Sequence, residues 1–130
     1  YIAATSSISG KFGFTLRSAY AAAKHAIQGF FETLRLELKP FNISVTIAYP
    51  GRVQTSISFN AIEKDGTPYV KLSPGQAAGI SAQECAAQYI KAIKRGKPEI
   101  LIGGKELLMV HIKRLFPKVF FKVIGRVNPA

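Results

Sequence analysis

Strand-like and helix-like runs alternate along these 130 residues, and that alternation limits the fold more than any other feature. Residues 1 to 6 read as a buried strand that ends at Ser6-Ser7, and Gly10 to Arg17 is a loop of glycine and small residues. A helix is expected next, with Ser18 as N-cap. Ala26, Ile27, Phe30, Phe31, Leu34 and Leu38 then recur every three or four residues until Pro40 stops the run. Ser44 to Tyr49 is rich in β-formers and ends at Pro50-Gly51. From Thr55 to Ile80 there is little apolar period but several Gly, Pro and Ser, the character of an active-site lid. Ser81-Ala82-Gln83-Glu84 is a capping-box pattern opening a second helix, with Ala86, Tyr89, Ile90 and Ile93 on one face and Gly96 past its end. Glu99 to Ile102 is a short strand closed by Gly103-Gly104.

The order β-α-β-lid-α-β argues for an α/β fold with a parallel sheet and right-handed crossovers. Ligands then sit beyond the carboxyl ends of the strands. Ser7 and the Pro50-Gly51 turn both fall there.

Tyr20 and Lys24 are four residues apart on the first helix and share a face. An ammonium beside a phenol favours the phenolate, so Tyr20 can exchange a proton with a substrate oxygen near neutral pH. The pair alone is weak, because a chain with this many tyrosines and lysines holds about 0.5 such pairs by chance. Its surroundings strengthen it. Ser7 stands thirteen residues before the tyrosine within Ser6-Ser7-Ile8-Ser9-Gly10, Ser18-Ala19 leads into it, and Tyr49-Pro50-Gly51-Arg52-Val53-Gln54-Thr55 follows the second strand.

Together these motifs resemble the classical short-chain dehydrogenase/reductase (SDR) family, and the resemblance extends to about Gly104. It implies the C-terminal half of a Rossmann-type doubly wound parallel sheet. Residues 1–104 would be the catalytic half, and residues 105–130 a basic amphipathic helical tail. It implies Ser7, Tyr20 and Lys24 as the catalytic set, with Ser6 and Ser9 as neighbouring candidates that the family's spacing passes over. Tyr20 and Lys24, with Pro50, Gly51, Val53 and Thr55, would contact the cofactor, NAD or NADP. The reaction implied is hydride transfer between that cofactor and a small-molecule carbonyl or secondary alcohol, in a protein that forms homo-oligomers at full length. The plainer readings are a turn serine at Ser7, a buried tyrosine at Tyr20, a solvated lysine at Lys24, a strand-ending turn at Pro50-Gly51 and a capping hydroxyl at Thr55.

No Gly-rich pyrophosphate turn of the G-x-G-x-x-G kind opens a helix in this sequence, nor does an Asn-Asn-Ala-Gly segment occur. The 130-residue chain alone is therefore expected not to turn over a carbonyl. The competing class is a non-catalytic SDR remnant or a basic peripheral-membrane module.

A single cysteine, Cys85, excludes an internal disulfide and fits a reducing, cytoplasmic setting; its plain reading is a packing residue. His25 points about 100° around the helix from Lys24, and His111 lies in the tail. Neither has a metal-ligand partner at useful spacing, so no metal is expected. With one aspartate, Asp65, in the lid, Ser-His-Asp or paired-carboxylate hydrolysis has little support.

The net charge is +11, of which residues 103–130 contribute +5 from six basic residues and one acid. In that segment Ile112, Phe116, Val119, Phe120 and Val123 gather on one side of a helical wheel. Arg114, Lys118, Lys122 and Arg126 take another side, and Pro117 marks a break. Such a segment can lie on an anionic membrane or pack its apolar side on protein. No nucleic-acid module accompanies the charge, and no nucleic-acid partner is expected. The motif neighbourhood and tail resemble most the dehydrogenase/reductase member-seven-like subgroup, whose members often associate with membranes.

Overall fold

A computed structural model of the chain describes residues 1–56, 65–67 and 74–127. Three parallel strands, β1 (Ile2–Thr5), β2 (Val45–Pro50) and β5 (Glu99–Ile102), form a sheet in the order β1-β2-β5. Thr5 lies beside Ala48 and Pro50 beside Ile102, so all three strands end on the same side. This is the expected parallel α/β architecture. β2 is central and buried from Val45 to Tyr49, because both its edges are paired and both its faces covered. β1 alternates instead: Ala4 is buried while Ala3 and Thr5 are exposed, which corrects the expectation of a strand buried throughout.

Helix α1 (Ser18–Leu38) joins β1 to β2. Ser18 was expected to cap it, but Ser18 is its first residue; Arg17 stands at the N-cap position, with no side-chain capping bond. Ile27, Phe31, Leu34 and Leu38 are partly buried, whereas Phe30 is 63% exposed and Ala26 is exposed. Near the end of α1, the Arg35 guanidinium donates to the carbonyls of Val45 (3.1 Å) and Pro98, tying the helix to the starts of β2 and β5.

After β2 a short ladder pairs β3 (Val53–Gln54) with β4 (Ile80–Ser81), flanked by the four-residue α2 (Pro74–Ala77). Much of the expected lid, residues 57–64 and 68–73, lies outside the described residues. Helix α3 (Ala82–Lys94) begins as the capping pattern requires, with the Glu84 N–H donating to Ser81 Oγ at 3.1 Å. It ends at Gly96, whose φ of +63° is the left-handed geometry that glycine adopts at little cost. α3 buries Ala92 and half-buries Cys85, Tyr89 and Ile93, while Ala86 and Ile90 are exposed, so the face against the sheet is rotated from the expected one. The Tyr89 hydroxyl donates to the Ala4 carbonyl at 2.7 Å.

The tail splits where Pro117 was expected to break it, into α4 (Leu108–Leu115) and α5 (Pro117–Ile124), the proline taking the first helical turn where its missing N–H is harmless. Phe120 and Ile124 pack with Ile8 and Phe12 in one buried cluster, and the Phe12 and Phe120 rings meet edge to face at 5.2 Å. Leu115, Phe116, Val119, Phe121 and Val123 stay exposed. Among the described residues no helix is long and apolar enough to cross a membrane.

Candidate active site

The expected site residues come from the carboxyl ends of the strands and the start of α1. Ser7 follows β1 by two residues and opens a 3-10 turn over Ile8–Gly10. There its Oγ accepts the Ser9 N–H at 3.1 Å, so the local turn role is filled. The bond uses Ser7 as an acceptor and leaves its hydroxyl proton without an acceptor among the described residues, so the turn role and a role toward a ligand are compatible.

Tyr20 and Lys24 lie in the first two turns of α1. Lys24 Nζ sits 5.6 Å from the centre of the Tyr20 ring and 3.5 Å from the Thr5 carbonyl, which draws the ammonium to the end of β1. The Ser6 hydroxyl donates to the Lys24 carbonyl at 2.9 Å. Gly10 fits closely against the same place, since a Cβ there would lie 2.7 Å from the Lys24 carbonyl oxygen. Ser6, a neighbouring candidate in the sequence, is thus a buried strut that docks the serine turn on α1.

Exposure separates the described tyrosines near the sheet. Tyr20 is 41% exposed, so its phenol can meet a ligand. Tyr49, one residue before Pro50, is fully buried; burial, then the charges of Glu99 and Glu32, push its phenol well above the ordinary value, and its hydroxyl has no partner among the described residues. Lys11 Nζ lies 4.0 Å from the centre of the Tyr49 ring and pairs with Glu99 at 2.8 Å. Burial also raises the Tyr89 phenol and the Cys85 thiol, which suits packing roles for both.

Pro50 and Gly51 close β2, and the Gly51 N–H donates to the Ile102 carbonyl at 2.7 Å, joining that turn to the end of β5. Val53 is half-buried in the β3–β4 ladder, and Thr55 is exposed just after it. One acid not singled out in the sequence enters here. Glu106 reaches back from the turn after β5 and accepts the N–H groups of Arg52 (2.9 Å) and Gly104 (3.2 Å). Burial alone would raise its carboxyl, but those two donors and the Arg52 charge hold it below the usual carboxylate value. The one sequence hint was that Glu106 is the sole acid among the last 28 residues. His25 Nδ1 lies 2.8 Å from the Ala21 carbonyl, and among the described residues no three His, Cys, Asp or Glu cluster as a metal site.

A family model described as short chain dehydrogenase matches residues 1–66, which include Ser7, Tyr20, Lys24 and the Pro50-Gly51 turn. The chain belongs to the short-chain dehydrogenase/reductase family. Among SDR relatives, Dehydrogenase/reductase SDR family member 7B of Rattus norvegicus is 41% identical over 126 residues, covering 96% of this chain and 39% of the relative. Dehydrogenase/reductase SDR family protein 7-like of Anopheles gambiae is 36% identical, covering 96% and 40%. These names fit the member-seven-like subgroup that the motifs suggested. The chain thus spans about two fifths of the length of these SDR relatives. In fold it is similar to an SDR of Burkholderia cenocepacia J2315 solved in complex with NADP, at a TM-score of 0.73 and 19% identity, covering 98% of this chain and 47% of the other. An SDR of Burkholderia phymatum in complex with NAD gives a TM-score of 0.69 at 20% identity, covering 99% and 50%.

Proposed function

We propose that this chain carries the proton-handling half of an NAD(P)-dependent oxidoreductase acting on a carbonyl or secondary alcohol. The observation that supports it most is the exposed Tyr20 phenol beside the Lys24 ammonium, with Ser7 and the Pro50-Gly51 turn at neighbouring strand ends. The nicotinamide supplies or accepts the hydride. In reduction Tyr20 gives its hydroxyl proton to the carbonyl oxygen as the carbon gains the hydride, and in oxidation it takes that proton back. Ser7 donates a hydrogen bond to the same oxygen, keeping its own proton, and stabilises the developing negative charge. Lys24 favours transfer by its charge and holds the nicotinamide ribose; Pro50, Gly51, Val53 and Thr55 hold the nicotinamide end through backbone and hydroxyl groups. NAD and NADP both fit this reading, since the solved SDRs of the same fold carry one or the other.

The test is carbonyl-dependent oxidation of NADH or NADPH by the full-length protein, with alcohol-dependent reduction as its reverse. Lys24→Ala is expected to lower kcat/KM by at least about 10-fold and to weaken cofactor binding, as one side chain serves both steps. Titration of NAD(P)H fluorescence checks the binding half. Failure to bind either nucleotide would sink the oxidoreductase reading and leave the non-catalytic remnant in its place.

A second reading concerns the tail. Packing of Phe120 and Ile124 on the body accounts for part of its apolar surface, but Leu115, Phe116, Val119, Phe121 and Val123 remain outside, interleaved with Arg114, Lys118, Lys122 and Arg126. Apolar flanks beside a basic ridge suit the surface of an anionic bilayer. The full-length protein with Phe116, Val119 and Phe121 changed to Ser is expected to lose salt-sensitive flotation with phosphatidylserine vesicles. Equal flotation of this variant and the parent would remove the tail from membrane contact.

A further inference from the structure

Three glycines and two backbone N–H groups surround a single carboxylate, that of Glu106. A Cβ on Gly51 would overlap its Oε1, one on Gly103 would lie 2.6 Å from Oε1, and one on Gly104 would lie 3.2 Å from Oε2. The Arg52 and Gly104 N–H groups converge on the same Oε1 at 2.9 and 3.2 Å. A side chain from the turn after β5 therefore fills the space that glycines leave at the end of β2.

The turn after β2 is held at three further points. The Gly51 N–H bonds the Ile102 carbonyl, the Ile80 N–H bonds the Arg52 carbonyl at 3.1 Å, and β3 pairs with β4. All of these are backbone bonds. The Arg52 N–H is the exception, for its acceptor is a side chain that can be changed without altering the sheet. A bond from an amide to a charged acceptor is also stronger than one between neutral groups.

We propose that Glu106 is a positioning residue for the cofactor site, clamping the Pro50–Arg52 turn to the Gly103–Gly104 turn so that its backbone is preorganised for the nicotinamide. The inference rests on the oxidoreductase reading above, which assigns that turn to the cofactor. The clamp depends on reach and on an acceptor at Oε1, so it discriminates among conservative replacements. Glutamine keeps the length and the acceptor oxygen but loses the charge. Aspartate keeps the charge but is one methylene short of the two N–H groups.

The experiment compares full-length parent, Glu106→Ala, Glu106→Asp and Glu106→Gln proteins, each checked for its melting temperature, by NAD(P)H titration and by steady-state kinetics. The expected result is a rise of about tenfold in cofactor KM and Kd for Ala and Asp, with the carbonyl KM within about twofold of the parent. Glu106→Gln is expected to restore most of the cofactor affinity. A general loosening of the fold would raise both KM values together and would overturn the positioning role. So would cofactor binding by Glu106→Asp equal to that of the parent, or a Gln variant as weak as Ala, since neither outcome fits a clamp made by reach and hydrogen bonding. A parent protein that binds neither nucleotide would instead count against the oxidoreductase reading itself, so the two failures are distinguishable.

Discussion

Tyr20→Phe in the full-length protein is expected to lower turnover by at least about 10²-fold, the usual weight of a positioned acid-base group. The substitution removes one oxygen and nothing else. Tyr20 is 41% exposed, and its hydroxyl bonds no acceptor among the described residues, so the change opens no cavity and strands no buried partner. The melting temperature should stay within about 2 °C of the parent, as for surface changes away from packed features. Cofactor affinity should change little, because Lys24 and the Pro50-Gly51 turn remain. Stopped-flow measurement of NAD(P)H oxidation with a reactive carbonyl reads the chemical step directly. Turnover near that of the parent would take the proton-transfer role away from Tyr20.

Phe120→Ala has the largest expected effect on stability. The side chain is 1% exposed and packs edge to face on Phe12, which is fully buried and also meets Phe14 at 4.9 Å. Truncating a buried phenylalanine costs about 3–5 kcal/mol, from lost transfer energy and the cavity left behind. That is a large part of the about 5–15 kcal/mol that holds a typical domain together. The loss should reach the site as well, because Phe12 and Ile8 belong to the segment that carries Ser7, and the Lys113 ammonium bonds the Lys11 carbonyl on that same segment at 2.8 Å. Urea denaturation of parent and variant gives the energy. A cost below about 1 kcal/mol, the range of surface positions, would show that α5 does not share the core of the serine segment.

Glu106 shows why part of the proposed site could not be read from sequence. Ser7, Tyr20, Lys24 and the Pro50-Gly51 turn are candidates in the sequence because they lie in local patterns, a helical i, i+4 pair, a serine just past a strand and a turn closing another, whose combination resembles the SDR family. Glu106 lies 54 residues from the amide it accepts, and no spacing rule links the two. Only the parallel register that sets Pro50 beside Ile102 brings their following turns together. The Ser6 strut is similar, since its acceptor is a helix carbonyl 18 residues away.

The errors in reading burial have the same origin. Helical period correctly marked α1 and α3, because the spacing of apolar residues is a local property. It could not say which edge of each stripe meets the sheet, and so Phe30, Ala86 and Ile90, which belong to those stripes by spacing, are exposed. At Ser18 the sequence offered a good capping residue, but the helix starts one residue earlier than that role needs, with Arg17 at the N-cap.

The amino-acid sequence by itself determined the alternation of strands and helices, the break at Pro117, the capped start of α3 and the serine, tyrosine and lysine of the candidate site. The first three follow from backbone preferences and side-chain spacing over a few residues, and the serine, tyrosine and lysine from the family that the surrounding motifs resemble. The tertiary structure decided which faces are buried, that Phe120 and Ile124 of the tail close over Phe12, that Tyr49 is sealed while Tyr20 is open, and that Glu106 joins two turns. These depend on which distant segments share a surface, and that is set by the summed packing of the sheet rather than by any one stretch of chain.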